Sequence, residues 1–128
     1  MSEIKHTYPV TIIDDRTYLQ VCKSHEIFEG RSFTVVFNEE LQVAIFRIQG
    51  QLYAVSNICL HQHAAVLCDG YVEGTTVRCP LHGWVYSLET GQTMGSRSHL
   101  ATYRIHEQGG NVYLEEPIVQ RPKWMESL

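Results

Sequence analysis

Apolar and polar residues alternate in short runs along most of the chain, the period-two pattern of half-buried strands. Tyr18 to Cys22 alternates, with Leu19 and Val21 on one face. Phe33 to Phe37 and Val43 to Ile48 are rich in β-branched and aromatic residues, and Asn38-Glu39-Glu40 between them reads as a turn. Leu52 to Val55 follows Gln49-Gly50-Gln51, which predicts a hairpin. Further on, Ala101, Tyr103 and Ile105 alternate with Thr102, Arg104 and His106, and Gln108-Gly109-Gly110 turns the chain into Val112 to Glu115. The one helix-like stretch, Ser24 to Glu29, ends at Gly30 and is a single turn in length. Between these strands, from Asn57 to about Ser98, the chain is dense in His, Cys, Gly and short turns. This middle reads as a subdomain built around a site and inserted into a β scaffold.

The chain of 128 residues is close to the usual size of one domain. At that length it buries roughly two-thirds of its unfolded surface. A core without disulfides is therefore expected. The formal net charge of −4 argues against nucleic acid or an anionic membrane as the main partner. No apolar run approaches the ~20 residues of a membrane helix. Met1 to Val10 lacks the basic-then-apolar pattern of a signal peptide. A cytoplasmic protein is expected, and in that compartment four cysteines point to metal binding or catalysis rather than to a disulfide framework.

Two short boxes carry the candidate chemistry: Cys59-Leu60-His61 and Cys79-Pro80-Leu81-His82, separated by the 17 residues 62–78. Each offers one thiolate and one imidazole that can face a common centre if the loop curls. Thiolates bring charge and suit zinc or iron held with sulfide, whereas neutral imidazoles leave a metal more electron-poor. Zinc in one tetrahedron fits two Cys and two His. An iron–sulfur cluster with two Cys on one iron and two His on the other fits them as well. A plant-type cluster needs four closely spaced Cys, a pattern that Cys22, Cys59, Cys68 and Cys79 lack.

The spacing and its context resemble the Rieske domain family. Leu52 to Asn57 resembles that family's strand into the first cluster loop, Val66-Leu67-Cys68-Asp69-Gly70 its following turn, and Cys79 to Trp84 its second loop. Leu88-Glu89-Thr90-Gly91 resembles the next turn and Ala101 to Glu115 the closing hairpin, so the resemblance spans roughly 19–115. It implies an all-β fold of stacked antiparallel sheets with an inserted cluster-binding subdomain at about 57–98. The single domain would cover 1–116, with 117–128 as a tail. It also implies one [2Fe–2S] cluster on Cys59, His61, Cys79 and His82, with the His-bound iron outermost. The alternative is a zinc-stabilised interaction module without redox activity.

The departures refine the resemblance. High-potential respiratory members join a Cys from each loop in a disulfide, but Ala64 and Leu81 occupy those positions here. They place Ser where Trp84 stands, and they carry a membrane anchor that is not expected here. The sequence is thus similar to low-potential Rieske ferredoxins and to the small subunit of assimilatory nitrite reductase. The Cys-Pro-Leu-His-x-Trp box leans slightly to the latter. The chain ends too early for the catalytic domain of Rieske oxygenases. The implied role is a one-electron carrier, not an enzyme, that takes electrons from a reductase or flavoprotein and passes them to a larger redox enzyme. Respiratory members have a Tyr at the position of Tyr86 whose hydroxyl bonds a ligand cysteine, and low-potential ferredoxins often have Phe there, so Tyr86 either keeps that bond or only packs; Trp84 reads as a lid over the cluster loops.

The remaining candidates have plainer readings. His63 reads as a polar residue beside the site, Cys68 as a partly buried thiol and Cys22 as strand packing. His6, His25, His99 and His106 have no partner at ligand spacing, and the pairs Asp14-Asp15 and Glu39-Glu40 fit solvated turns.

Overall fold

The computed structural model describes residues 8–60, 64–81 and 83–117. Eleven strands follow in order: β1 Val10–Ile13, β2 Arg16–Lys23, β3 Ser32–Val36, β4 Gln42–Ile48, β5 Gln51–Ser56, β6 Tyr71–Glu73, β7 Thr76–Arg78, β8 Val85–Ser87, β9 Thr102–Tyr103, β10 Ile105–Gln108 and β11 Asn111–Glu115. They form three antiparallel sheets, ordered β1-β2-β11-β10, β3-β4-β5-β9 and β6-β7-β8. The only helical pieces among the described residues are two 3-10 turns, Ser24–Glu26 and Leu67–Asp69.

The second sheet is the middle layer, and β4 shows why. Its Val43 and Ile45 pack with Cys22, Val112 and Leu114 of the first sheet. Its Ala44 and Phe46, on the opposite face, pack with Val77, Cys79, Tyr86 and Leu88 on the side of the third sheet. A strand covered on both faces reads as a continuous apolar run, and Val-Ala-Ile-Phe is that run. Truncating Phe46 would cost ~3–5 kcal/mol, because a cavity would open in the layer that carries the third sheet.

The predicted runs at 33–37, 43–48 and 52–55 lie on β3, β4 and β5 to within a residue. The turn at Asn38 is held by its side chain, whose Oδ1 accepts the backbone N–H groups of Glu40 and Leu41, both at 2.8 Å. The expected face of β2 is corrected by a bulge. Val112 pairs with Cys22 but Tyr113 pairs with Gln20, which leaves Val21 unmatched. The extra residue breaks the alternation and turns Cys22 inward beside Val21. The predicted alternation from Ala101 onward also divides. β9 pairs with β5, whereas β10, one residue later, pairs with β11, so the chain crosses from the second sheet to the first at Arg104.

Two turns need glycine because backbone comes close. A Cβ on Gly91, at φ +79°, would collide with the Leu100 carbonyl oxygen. One on Gly70 would lie 2.6 Å from Val77 Cγ2 and 2.8 Å from the Arg78 oxygen. Gly91 is held there from both sides: its N–H donates to the Ser87 oxygen and its carbonyl accepts the Leu100 N–H, both at 2.8 Å. These contacts seat the Gly91 turn against the segment that leads into β9, and the Gly70 turn against β7.

Candidate metal centre

Cys59 leaves the end of β5, and Cys79 follows the last residue of β7. Both are buried, at 0% and 1% exposure, in the apolar layer between the second and third sheets. Each begins a loop closed in the same way. The Cys59 N–H donates to the Ala64 oxygen at 2.9 Å, and the Cys79 N–H donates to the Trp84 oxygen at 2.7 Å. Each cysteine is thereby bonded to the carbonyl five residues ahead. The second loop is tightened further by Gly83 N–H donating to the Cys79 oxygen at 3.1 Å. His61 and His82 fall within these two loops in sequence. They lie outside the described residues, as do Gln62 and His63.

Tyr86, on β8, is fully buried beneath the loops. Its hydroxyl oxygen lies 3.4 Å from Cys59 Sγ and also accepts the Leu60 backbone N–H. Burial and the neighbouring Cys59 push its pKa well above the ordinary phenol value, so the oxygen keeps its proton. If Cys59 is a metal-bound thiolate, its sulfur has no proton to give and the hydroxyl is the donor of this contact.

This donor set fits an iron–sulfur cluster. Two thiolates in an apolar layer would be costly to bury alone. Iron bound by both thiolates, with the Tyr86 hydroxyl beside one sulfur, would neutralise the charge where it sits. The other two cysteines lie elsewhere. Cys22 packs between the first and second sheets, where burial and the nearby Glu26 push its pKa up to about 12. Cys68 is half-buried beside the first loop, its N–H donating to Asn57 Oδ1 at 2.6 Å and its carbonyl accepting the Ser32 hydroxyl at 2.6 Å.

Trp84 is half-buried against the same layer and borders a groove of about 330 Å³ with Val85, Met94 and Ser96. Leu81, at 48% exposure, stands at the tip of the second loop. Sequence reasoning passed over Met94, which is exposed on that groove, and gave no role to Asn57, a fully buried amide at the base of the first loop. The only signal for Asn57 was an amide between an apolar strand and a Cys box.

The family model of the Rieske-like [2Fe-2S] domain matches residues 17–115. The chain is 30% identical over 105 residues to the 3-phenylpropionate/cinnamic acid dioxygenase ferredoxin subunit of Shigella flexneri serotype 5b (strain 8401). That match covers 80% of this chain and 96% of the relative. Its fold is similar to that of a chain proposed to be an NADH-dependent nitrite reductase small subunit from Mycobacterium tuberculosis. Here the TM-score is 0.73, with 23% identity over 83% of this chain and 100% of the other. It is also similar to a chain from a complex of reduced oxygenase and oxidized ferredoxin in carbazole 1,9a-dioxygenase. In that case the TM-score is 0.70, with 26% identity over 80% of this chain and 97% of the other. Nothing in these matches supports the zinc reading, and no described helix is long and apolar enough to cross a membrane. The chain belongs to the Rieske-like [2Fe–2S] domain family and is an electron carrier with one [2Fe–2S] cluster.

Proposed function

We propose that Cys59 and Cys79 bind one iron of the cluster and His61 and His82 the other. In this reading the protein serves as the ferredoxin of an oxygenase system in the cytoplasm. It receives single electrons from a reductase or flavoprotein and delivers them to a larger redox enzyme. The observation that carries the reading is the pair of matching closed loops, each starting at a buried cysteine, above one tyrosine hydroxyl. When bound, the cluster supplies a one-electron couple. The residues around it do the rest. Tyr86 donates to the Cys59 sulfur, and the layer containing Phe46, Val77 and Leu88 keeps water from the cysteine side. Residues 57–98 act as the cluster-binding subdomain of a domain covering 1–116. Leu60, Leu81 and Trp84 form an uncharged tip over which a partner docks, with the Trp84–Met94 groove beside it; Gln62, uncharged as well, belongs to the first loop in sequence. The curated ferredoxin subunits favour the oxygenase role. The Cys-Pro-Leu-His-x-Trp box favours a second reading, the small subunit of an NAD(P)H nitrite reductase.

The test is protein purified without oxygen. It should hold about two irons per chain and give a rhombic EPR signal when reduced. Both should be lost in His82→Ala and Cys79→Ser. Stoichiometric zinc, or an intact signal in His82→Ala, would overturn the ligand set. Co-expression separates the two roles: a subunit co-purifies with its nitrite reductase, whereas a ferredoxin only exchanges electrons with its oxygenase.

A further inference from the structure

Asn57 is 1% exposed, one of two fully buried polar residues among those described, and every polar group it has is used. Its side-chain Nδ2–H donates to Gln42 Oε1 at 3.1 Å, and its backbone N–H donates to the Gln42 oxygen at 2.8 Å. Its Oδ1 accepts the Cys68 N–H at 2.6 Å. Its carbonyl accepts the N–H groups of Val66 and Leu67, at 3.1 and 3.2 Å. Gln42 opens β4 in the middle sheet, whereas Val66, Leu67 and Cys68 form the far end of the loop that carries Cys59. One residue therefore ties the start of this loop to its end, and ties both to the strand buried on two faces.

We propose that Asn57 is the positioning residue of the cluster's first loop: a buried clasp that fixes where Cys59 is presented, without touching the cluster. The inference rests on the assignment of Cys59 and His61 as ligands and goes beyond it, because a ligand needs only reach, whereas the clasp sets geometry. The loop needs such a clasp for a physical reason. Among the described residues, its closure besides the bonds to Asn57 is the backbone bond from Cys59 to Ala64. A buried amide with both ends satisfied is rigid, and leaving any of its partners unmatched in that layer is costly.

The experiment compares Asn57→Leu, Asn57→Asp and Gln42→Met in protein purified with its cluster. Leu keeps the volume and loses both side-chain bonds. Asp keeps an acceptor for the Cys68 N–H and can accept from the Gln42 amide once that group turns over. Met at 42 removes the lateral partner, and with it the exposed Gln42 Nε2–H bond to the Glu39 oxygen at 3.4 Å, on a strand whose backbone bonds remain. Cluster loss is followed by bleaching in the presence of an iron chelator, and cluster geometry by EPR of the reduced protein. Asn57→Leu should lose its cluster about tenfold faster or more than the natural protein, with a broadened EPR signal. Gln42→Met should change in the same direction by a smaller factor, and Asn57→Asp should hold its cluster close to the natural rate. If Asn57→Leu does not fold, the other two decide. Gln42→Met with natural bleaching and an unchanged EPR line would overturn the proposal, and so would Asn57→Asp that behaves like a variant with no clasp. A merely structural role would lower melting but leave the EPR line of the remaining cluster unchanged. Cys59→Ser and His61→Ala run alongside: if these retain the natural spectrum, the ligand assignment fails instead, whatever the Asn57 variants do.

Discussion

Replacing Tyr86 by Phe removes one oxygen from a fully buried ring and leaves the packing of that ring intact. The structure sets what is lost. The hydroxyl lies 3.4 Å from Cys59 Sγ and its oxygen accepts the Leu60 N–H; with Cys59 bound as a thiolate, the sulfur has no proton to give and the hydroxyl donates to it. Reduction places more negative charge on iron and sulfur, so a donor to sulfur stabilises the reduced state more than the oxidised one. With a net hydrogen-bond difference of ~0.5–1.5 kcal/mol and about 59 mV per 1.4 kcal/mol for one electron, Tyr86→Phe should lower the midpoint by about 20–65 mV. The parent value should lie near the low end of the Rieske range, roughly −150 mV, because the loop disulfide is missing and Trp84 replaces the second hydroxyl donor. Spectroelectrochemistry of the purified protein measures both. The variant also strands the Leu60 N–H, so the EPR line must be shown unchanged before the shift is credited to the lost bond. An unchanged midpoint would mean that the hydroxyl only packs. A parent midpoint well above zero at neutral pH would refute the low-potential reading.

Leu81→Asp and Leu60→Asp, at the loop tips, should slow electron transfer to the true acceptor by about tenfold with little change in melting, because a charge placed in an apolar contact must be desolvated on docking. Equal rates in stopped-flow transfer would place docking elsewhere. Arg47 clamps Glu107 across the first two sheets, with Nη2 at 2.6 Å from Oε2, and also donates to the carbonyls of Ser24 and Ile27. That hydrogen bond, foremost, lowers the Glu107 pKa below its ordinary 4.5. The stability it contributes is therefore present above that value and lost as the pH falls through the lower, folded one. Because the pair is partly exposed, Glu107→Gln should cost only ~0.5–1 kcal/mol at pH 7. Urea melts should show this deficit steady down to about pH 5 and narrowing in stronger acid; a deficit that grows in acid would contradict the clamp. Native protein carrying its cluster should take up iodoacetamide at Cys68 and not at Cys22, whose pKa of about 12 leaves almost no thiolate at pH 8. Mass spectrometry that finds Cys22 labelled first would show the first interlayer core opening more readily than its packing implies.

Legibility in the sequence follows the range of the interaction. β4 was readable because burial on two faces leaves a continuous apolar run, and β3 and β5 because each keeps its pattern beside it. β1 was not, because its turn is Asp14-Asp15, both at positive φ, without the glycine that usually marks such a hairpin. The third sheet was not, because strands of three residues are too short to show a period. The crossover at Arg104 escaped because Tyr103 and Ile105 keep one alternation while their strands join different sheets. The same distinction divides the site. Cys59 with His61, and Cys79 with His82, stand out because rare residue types recur at short spacing, a signal carried by neighbours in the chain. Asn57 and Gln42 are common residues 15 positions apart. They meet only because Val43 pairs with Ser56 in the ladder, which sets residue 42 opposite 57. Their bond is a consequence of strand register, and register is fixed by the whole buried face of β4 and β5. The chemistry of this protein could therefore be read from two short boxes, whereas the positioning of that chemistry depends on a pairing that exists only once the middle sheet has formed.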